Sequence, residues 1–327
     1  MADIVSVEDL VVVYPDGTRA VDGISFDVKE GEFFGFLGPN GAGKSTTIKT
    51  LTTLLKKTSG RVSVAGHLLE EAPSEVRKSI GVLSQETSLD VDLTGRENLR
   101  LQGRLQQLRG RALDERVEEL LKLMQLDDVA GKSAGLYSGG MRKRLDLASA
   151  LIHKPRLLFL DEPTTGLDTQ SRTAIWEYLE SLNKDDGITI FLTTQYLEEA
   201  DRLCQELSII DRGKIIAKGT PSALKARVGG DVLTLTLDLQ ARDRAKAALR
   251  TVKGVSSVSD TEGGIAVHVE SAGKVVTEII ISLEMKGIRP SFVGVSSPTL
   301  DDVFLRETGR RIRPEELSKR ETEPFLM

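Results

Sequence analysis

A single cysteine, Cys204, stands among the 327 residues, so no disulfide can close within the chain. That scarcity fits a reducing compartment, and a lone cysteine is most simply read as a small buried apolar residue. The three histidines, His67, His153 and His268, lie far apart, and no Cys/His spacing of a zinc site accompanies them. Long apolar runs are missing too. The longest, such as Leu157–Leu160 and Ile279–Ile281, fall far short of the roughly 18 residues that span a bilayer. The first residues, MADIVSVEDL, carry neither the basic start nor the apolar stretch of a secretory signal, so the chain is expected not to cross a membrane by itself. Positive charge is not in excess: 44 Lys and Arg against 49 Asp and Glu leave a formal charge of −5, with no general drive toward nucleic acid.

What is present is an ordinary globular mix, 39% hydrophobic and 28% charged, which argues against disorder. The length exceeds what one core usually serves, so two domains are expected. Segments near 4–13, 24–28 and 33–37 read as strands, with Asp16-Gly17 and Glu30-Gly31 supplying turns between them. Helical patterns follow near 43–55, 94–109, 112–124 and 139–151, interleaved with apolar strands near 80–84, 156–160 and 188–193. That alternation predicts an α/β core with a largely parallel sheet, and the polar helical stretch of about 86–150 reads as an inserted helical subdomain.

A break at Val228-Gly229-Gly230 divides a first domain, 1–228, from a second, 229–310, and leaves a charged tail, 311–327, expected to be mobile. The second domain reads strand, helix, strand, strand, helix, strand, the ferredoxin-like order, with a last helix near 299–309.

The chemistry is concentrated in two places. Strand 33–37 runs into GPNGAGKST, which satisfies the P-loop pattern in its required setting of strand, loop and helix. Gly38, Pro39, Asn40, Gly41, Ala42 and Gly43 form a loop whose backbone N–H groups can curl around phosphate oxygens at a helix N-terminus. Lys44 offers a point charge to the β- and γ-phosphates, and the Ser45 hydroxyl, followed by Thr46, is a Mg²⁺ ligand. Further on, the apolar run Leu157–Leu160 ends in Asp161-Glu162, two carboxylates at the end of a strand where open α/β sheets bind ligands. Asp161 is placed to hold Mg²⁺, and Glu162 to polarise the attacking water.

Between these motifs lies YSGGMRKRLDLASAL, residues 137–151, which resembles the signature motif of ABC ATPases. Tyr137 and Met141 depart from the family's commonest letters, but Ser138-Gly139-Gly140 is intact. The order of motifs over about 1–226 is also similar to the family's: Tyr14, the P-loop, Gln85, the signature, Asp161-Glu162, Gly166-Leu167-Asp168 and a switch position at 195. The resemblance implies a P-loop ATPase fold, hydrolysis of ATP with Mg²⁺, and a head-to-tail homodimer in which each ATP lies between Lys44 of one subunit and Ser138 of the other. It implies a separate transmembrane permease subunit, a peripheral position on the cytoplasmic face of the membrane, and no nucleic acid partner. Tyr14 resembles the aromatic that stacks on adenine, or is a core tyrosine. Gln85 resembles the glutamine that touches Mg²⁺ and the attacking water. Asp168 resembles an acid that crosses the dimer interface, or caps the helix beginning near Thr169.

In TTQYLEEA, residues 193–200, Gln195 stands where most relatives carry histidine. An amide donates a hydrogen bond to a γ-phosphate but takes up no proton. That glutamine, YSGGMRKRLDLA and SPTLDDVFLRETG at 297–309 resemble the daunorubicin-resistance branch of drug-export ATPases, which implies an exporter. Chromosome and repair ATPases place long coiled coils between P-loop and signature, whereas 94 residues without sustained heptads separate Lys44 from Ser138. Translation-associated relatives carry two P-loops, and one is present. An ATP-clamping switch that hydrolyses poorly is the third alternative, and Glu162 argues against it. The second domain is either a stability or dimer-contact module or a regulator of assembly.

Overall fold

The computed structural model describes residues 2–85, 87–261 and 263–309; the tail expected at 311–327 lies outside them. The chain divides into two compact units, one reaching Pro221 and one opening at Ser222, so the helix that precedes Gly229-Gly230 goes with the second unit.

The first unit opens with an antiparallel sheet. Strands β1 (Asp3–Val13), β2 (Arg19–Lys29), β4 (Ser59–Val64) and β5 (His67–Leu68) lie in the order β2-β1-β4-β5. In β2 the alternation is plain: Ile24, Phe26 and Val28 are buried while Ser25, Asp27 and Lys29 face water. The main sheet has a different character. Its strands β3 (Phe33–Leu37), β6 (Ile80–Leu83), β7 (Leu157–Asp161), β8 (Thr189–Thr194), β9 (Glu206–Asp211) and β10 (Lys214–Gly219) run in the order β10-β9-β3-β8-β7-β6. All pairs are parallel except β10 with β9. Every residue of β3, β7 and β8 is buried, as expected of parallel strands covered on both faces.

Five phenylalanines join the two sheets. Phe26 of β2 meets Phe34 and Phe36 of β3 and Phe191 of β8, and Phe191 meets Phe159 of β7, with ring centroids 5.3–5.9 Å apart. Each buried ring is worth roughly 1.5–3 kcal/mol, and that rigidity is delivered directly beneath the loops that follow β3, β7 and β8. Cys204 fits the sequence reading: it is buried, a Cβ on Gly35 of β3 would come within 2.7 Å of its Sγ, and burial pushes its thiol well up.

Helices α1 (Lys44–Leu51) and α2 (Pro73–Ser79) follow β3 and β5. The stretch expected to be helical holds α3 (Gly95–Leu105), α4 (Gly110–Leu123) and α5 (Gly139–Leu151). Thr94 and Glu97 cap α3 reciprocally, each side chain taking the other's backbone N–H. Leu113, Val117, Leu120 and Leu121 supply the buried stripe of α4. After β7 come α6 (Thr169–Lys184) and α7 (Leu197–Leu203).

The second unit contains α8 (Pro221–Val228), β11 (Asp231–Thr236), α9 (Leu239–Leu249), β12 (Val255–Thr261), β13 (Gly264–Val269), α10 (Ala272–Glu284), β14 (Phe292–Ser296) and α11 (Leu300–Thr308). Its sheet is antiparallel in the order β12-β13-β11-β14, which with the order of elements makes the ferredoxin-like pattern. Leu233, Leu235, Ile265, Val267, Ile279 and Leu283 belong to a core of its own.

Candidate nucleotide site

Phosphate cradles need backbone N–H groups close together, and that demands glycine at defined points. Gly43 has φ 109°, and a Cβ there would lie 2.5 Å from the Ala20 carbonyl oxygen. A Cβ on Gly38 would lie 2.2 Å from the Ile210 carbonyl oxygen. The loop is therefore fixed from outside by β2 and β9, and α1 begins with Lys44 directly after it.

Lys44 is buried and donates from Nζ to the carbonyl oxygens of Gly38 at 2.9 Å and Pro39 at 3.2 Å. Its ammonium also pairs with Glu162 Oε1 at 3.1 Å. Ser45 Oγ donates to Asp161 Oδ1 at 3.2 Å. The parallel register β3-β8-β7 brings these groups together from positions more than a hundred residues apart in the chain.

Glu162 stands in the left-handed region with φ 50°, an uncommon conformation for a residue with a Cβ. It is held by its own N–H, which donates to the Thr193 carbonyl at 3.1 Å, and by Thr165 Oγ1, which donates to Oε2 at 3.2 Å. Thr193 Oγ1 donates to Asp161 Oδ1 at 2.5 Å. Sequence reasoning missed Thr193 and Thr165; for Thr193 the available signal was the pair of hydroxyls, Thr193-Thr194, that closes β8 after Ile190-Phe191-Leu192.

Ser45 and Asp161 are hard oxygen donors side by side, the donor chemistry that Mg²⁺ takes. No group of three or more His, Cys, Asp or Glu poised for a metal exists among the described residues. Tyr14 is half-buried, and its hydroxyl lies 3.1 Å from Thr46 Oγ1, beside the loop. Gln85 is exposed and follows β6, whose register with β7 sets Leu83 beside Leu160. Gln195 is half-buried, two residues beyond Thr193, which pairs with Asp161.

Ser138, Gly139 and Gly140 stand at the start of α5, with Leu167 and Ser171 nearest the two glycines. Ser138 caps α5 by accepting from the Met141 N–H at 3.2 Å. A Cβ on Gly140 would come within 2.8 Å of Ser171 Oγ, so the signature turn rests on the start of α6. Asp168 caps α6: it accepts from the Ser171 N–H at 2.9 Å and from Ser171 Oγ at 2.7 Å, and these bonds hold its carboxyl below the ordinary range. Within one chain, therefore, Asp168 is the helix cap. Tyr137 is buried and sends its hydroxyl to the Val129 carbonyl at 2.8 Å, and burial pushes its phenol up.

Fold and site define an ATP-binding cassette, the ATP-hydrolysing part of an ABC transporter, and residues 21–165 match the ABC transporter family. Residues 219–308 match a second family described as the C-terminal domain of DrrA1-3-like ATP-binding proteins. The chain is 44% identical over 295 residues to the daunorubicin resistance ATP-binding protein DrrA2 of Streptomyces coeruleorubidus, covering 90% of this chain and 91% of that one. It is 37% identical to the linearmycin resistance ATP-binding protein LnrL of Bacillus subtilis, covering 90% and 94%. Among solved structures it resembles the dimeric ATP-binding cassette MJ0796 in a post-hydrolysis state bound to ADP and Pi, with TM-score 0.61 and 27% identity over 66% of this chain and 98% of that one. The chain belongs to the ABC transporter ATP-binding proteins of the daunorubicin-resistance (DrrA) type, the ATP-binding subunits of drug- and antibiotic-resistance exporters.

Proposed function

We propose that two copies of the chain close head to tail around two Mg-ATP and drive export of a drug, antibiotic or lipid-like cargo through a separate membrane subunit. The observation that carries this is a division of labour within one chain. Lys44, Ser45, Asp161 and Glu162 converge, whereas Ser138, Gly139 and Gly140 begin an exposed helix start against Ser171. A helix start with two glycines and a serine is a phosphate-binding end, and a partner's nucleotide supplies the phosphate. The related cassette seen as a dimer supports that arrangement.

In this scheme Lys44 exchanges its carbonyl and Glu162 partners for phosphate oxygens, Tyr14 stacks on adenine, and Ser45, Asp161 and Gln85 hold Mg²⁺, which screens phosphate charge when bound. Glu162 accepts a proton from the attacking water, and Gln195 donates a neutral hydrogen bond to the γ-phosphate. Asp168, while capping α6, offers its remaining lone pairs to the partner's site. As the ATP-hydrolysing partner of that membrane subunit, the protein works at the cytoplasmic face of the membrane; no described helix is long and apolar enough to cross it. The relatives' names, daunorubicin and linearmycin resistance, support the cargo class.

Ser138→Arg tests the division. The bulky cation stands in the partner's site, so ATP binding by the isolated chain is expected to stay within about threefold while turnover falls about 10²-fold, the usual loss when a preorganised phosphate contact goes. Fluorescent-nucleotide titration beside phosphate release measures both. Parallel loss of binding and turnover would return Ser138 to its own subunit's site.

The second unit is an accessory domain that regulates closure or assembly. Its separate core supports its removal: a chain ending at Pro221, where the first unit ends, is expected to fold and bind ATP as the parent does, because all the nucleotide motifs lie upstream. Melting with and without ATP checks this, and an insoluble or nucleotide-free product contradicts the division.

A further inference from the structure

Glu199 in α7 is fully buried, an unusual place for a carboxyl. Its Oε1 accepts from Thr164 Oγ1 at 2.9 Å and from Trp176 Nε1 at 2.8 Å. Its Oε2 is buried with no partner in hydrogen-bond geometry. Three elements therefore meet on one carboxyl: the loop after β7, helix α6 and the turn that opens α7. Each leads to the site. Thr164 is followed by Thr165, which holds Glu162. Thr194, another neighbour of the Glu199 carboxyl, accepts from the Tyr196 N–H at 2.9 Å and thereby shapes the turn that carries Gln195. From α6, the Arg172 guanidinium lies 5.5 Å from the Trp176 ring centroid and 5.7 Å from that of Tyr196, so the same turn is gripped from a second side.

We infer that Glu199 is a positioning residue for hydrolysis, fixing the loop behind Glu162 and the Gln195 turn against one another. The inference rests on the roles proposed above for Glu162 and Gln195. Burial pushes this carboxyl above its ordinary range, against the pull of the Thr194, Trp176 and Thr164 side chains and of Arg172. A neutral acid suits the geometry. Its Oε1 still accepts twice, and a proton on the orphaned Oε2 spares an unpaired buried charge.

A neutral hub predicts a specific pattern. Glu199→Gln keeps one acceptor and one donor in the same shape, so its kcat is expected within about twofold of the parent. Glu199→Ala lets both loops drift, and displacement of reacting groups by about 1 Å costs up to ~10²-fold, so kcat is expected to fall by roughly 10–100-fold with ATP affinity within about threefold. Thr164→Val, nearly isosteric and mild enough to fold if the alanine variant does not, is expected to lower kcat about threefold by removing one bond. Gln195→Ala is expected to slow the parent by about tenfold at most and to add less than about twofold in the Glu199→Ala background, since one group's placement depends on the other. Parent turnover in Glu199→Ala or in Thr164→Val overturns the inference. So does a glutamine variant as slow as the alanine one, or a loss of nucleotide binding matching the loss of turnover. Should Gln195→Ala match the parent while the glutamine and alanine variants at 199 still split, the role of Gln195 fails and Glu199 stands through Thr164 and Thr165.

Discussion

Lys44→Ala is expected to lower ATP turnover by about 10²–10³-fold, the loss seen when one preorganised donor to developing charge is removed. The same variant carries a second signature that follows from the nucleotide-free geometry. Lys44 and Glu162 are both buried and 3.1 Å apart, so the alanine leaves a carboxylate with its cationic partner gone. Breaking a buried pair from one side costs about 3–5 kcal/mol, whereas removing both charges is often close to neutral. Here Glu162 keeps the Thr165 hydroxyl, which places the cost toward the lower end of that range. Melting in the absence of nucleotide therefore ranks the variants: the parent highest, Lys44→Ala lowest, and Lys44→Ala with Glu162→Gln above Lys44→Ala alone. Parent turnover in Lys44→Ala sinks the phosphate assignment. A double variant that melts below the single one sinks the account of the ion pair.

The parts of the site that the sequence disclosed are those whose meaning is local. A P-loop is nine consecutive residues doing one job, and Asp161-Glu162 ends one apolar run, so strand, loop and helix could be read in place. Thr193, Thr165 and Glu199 were not legible because their work depends on which strands are neighbours. The order β3-β8-β7 sets Thr193 against Asp161, and no periodicity within residues 188–193 encodes that order. Strands β4, β9 and β10 escaped notice for another reason. Ser59–Val64 carries more polar than apolar side chains, and β9 and β10 form a hairpin through Arg212 and Gly213, whose φ values of 48° and 76° mark a tight turn without the usual Asn-Gly signal. Asp168 shows what a single chain reveals of a residue with two readings: it caps α6 through Ser171, one bond to each carboxylate oxygen, and each oxygen keeps a lone pair for a partner.

Glu162→Gln is the counterpart to the lysine variant, with the opposite effect on binding. General-base removal costs typically 10²–10⁴-fold, so turnover is expected to fall within that range. The fold should persist, because glutamine tolerates the left-handed backbone at this position no worse than glutamate and keeps an acceptor for Thr165 Oγ1. The backbone N–H that reaches the Thr193 carbonyl is untouched. What changes is charge. In the parent, Glu162 neutralises Lys44 and stands beside Asp161, so an arriving triphosphate meets two carboxylates and a lysine already engaged. The amide removes one negative charge and releases Lys44 from its ion pair, leaving only the Gly38 and Pro39 carbonyls to be displaced. ATP affinity is therefore expected to rise as hydrolysis stops, and the ATP-bound head-to-tail dimer to accumulate. Light scattering with size-exclusion chromatography, with and without Mg-ATP, reads the dimer, and phosphate release reads the chemistry. A glutamine variant that stays monomeric with ATP and turns over like the parent excludes Glu162 as the base. A variant that loses turnover yet binds ATP more weakly leaves Glu162 as the base but removes the competition with phosphate for Lys44.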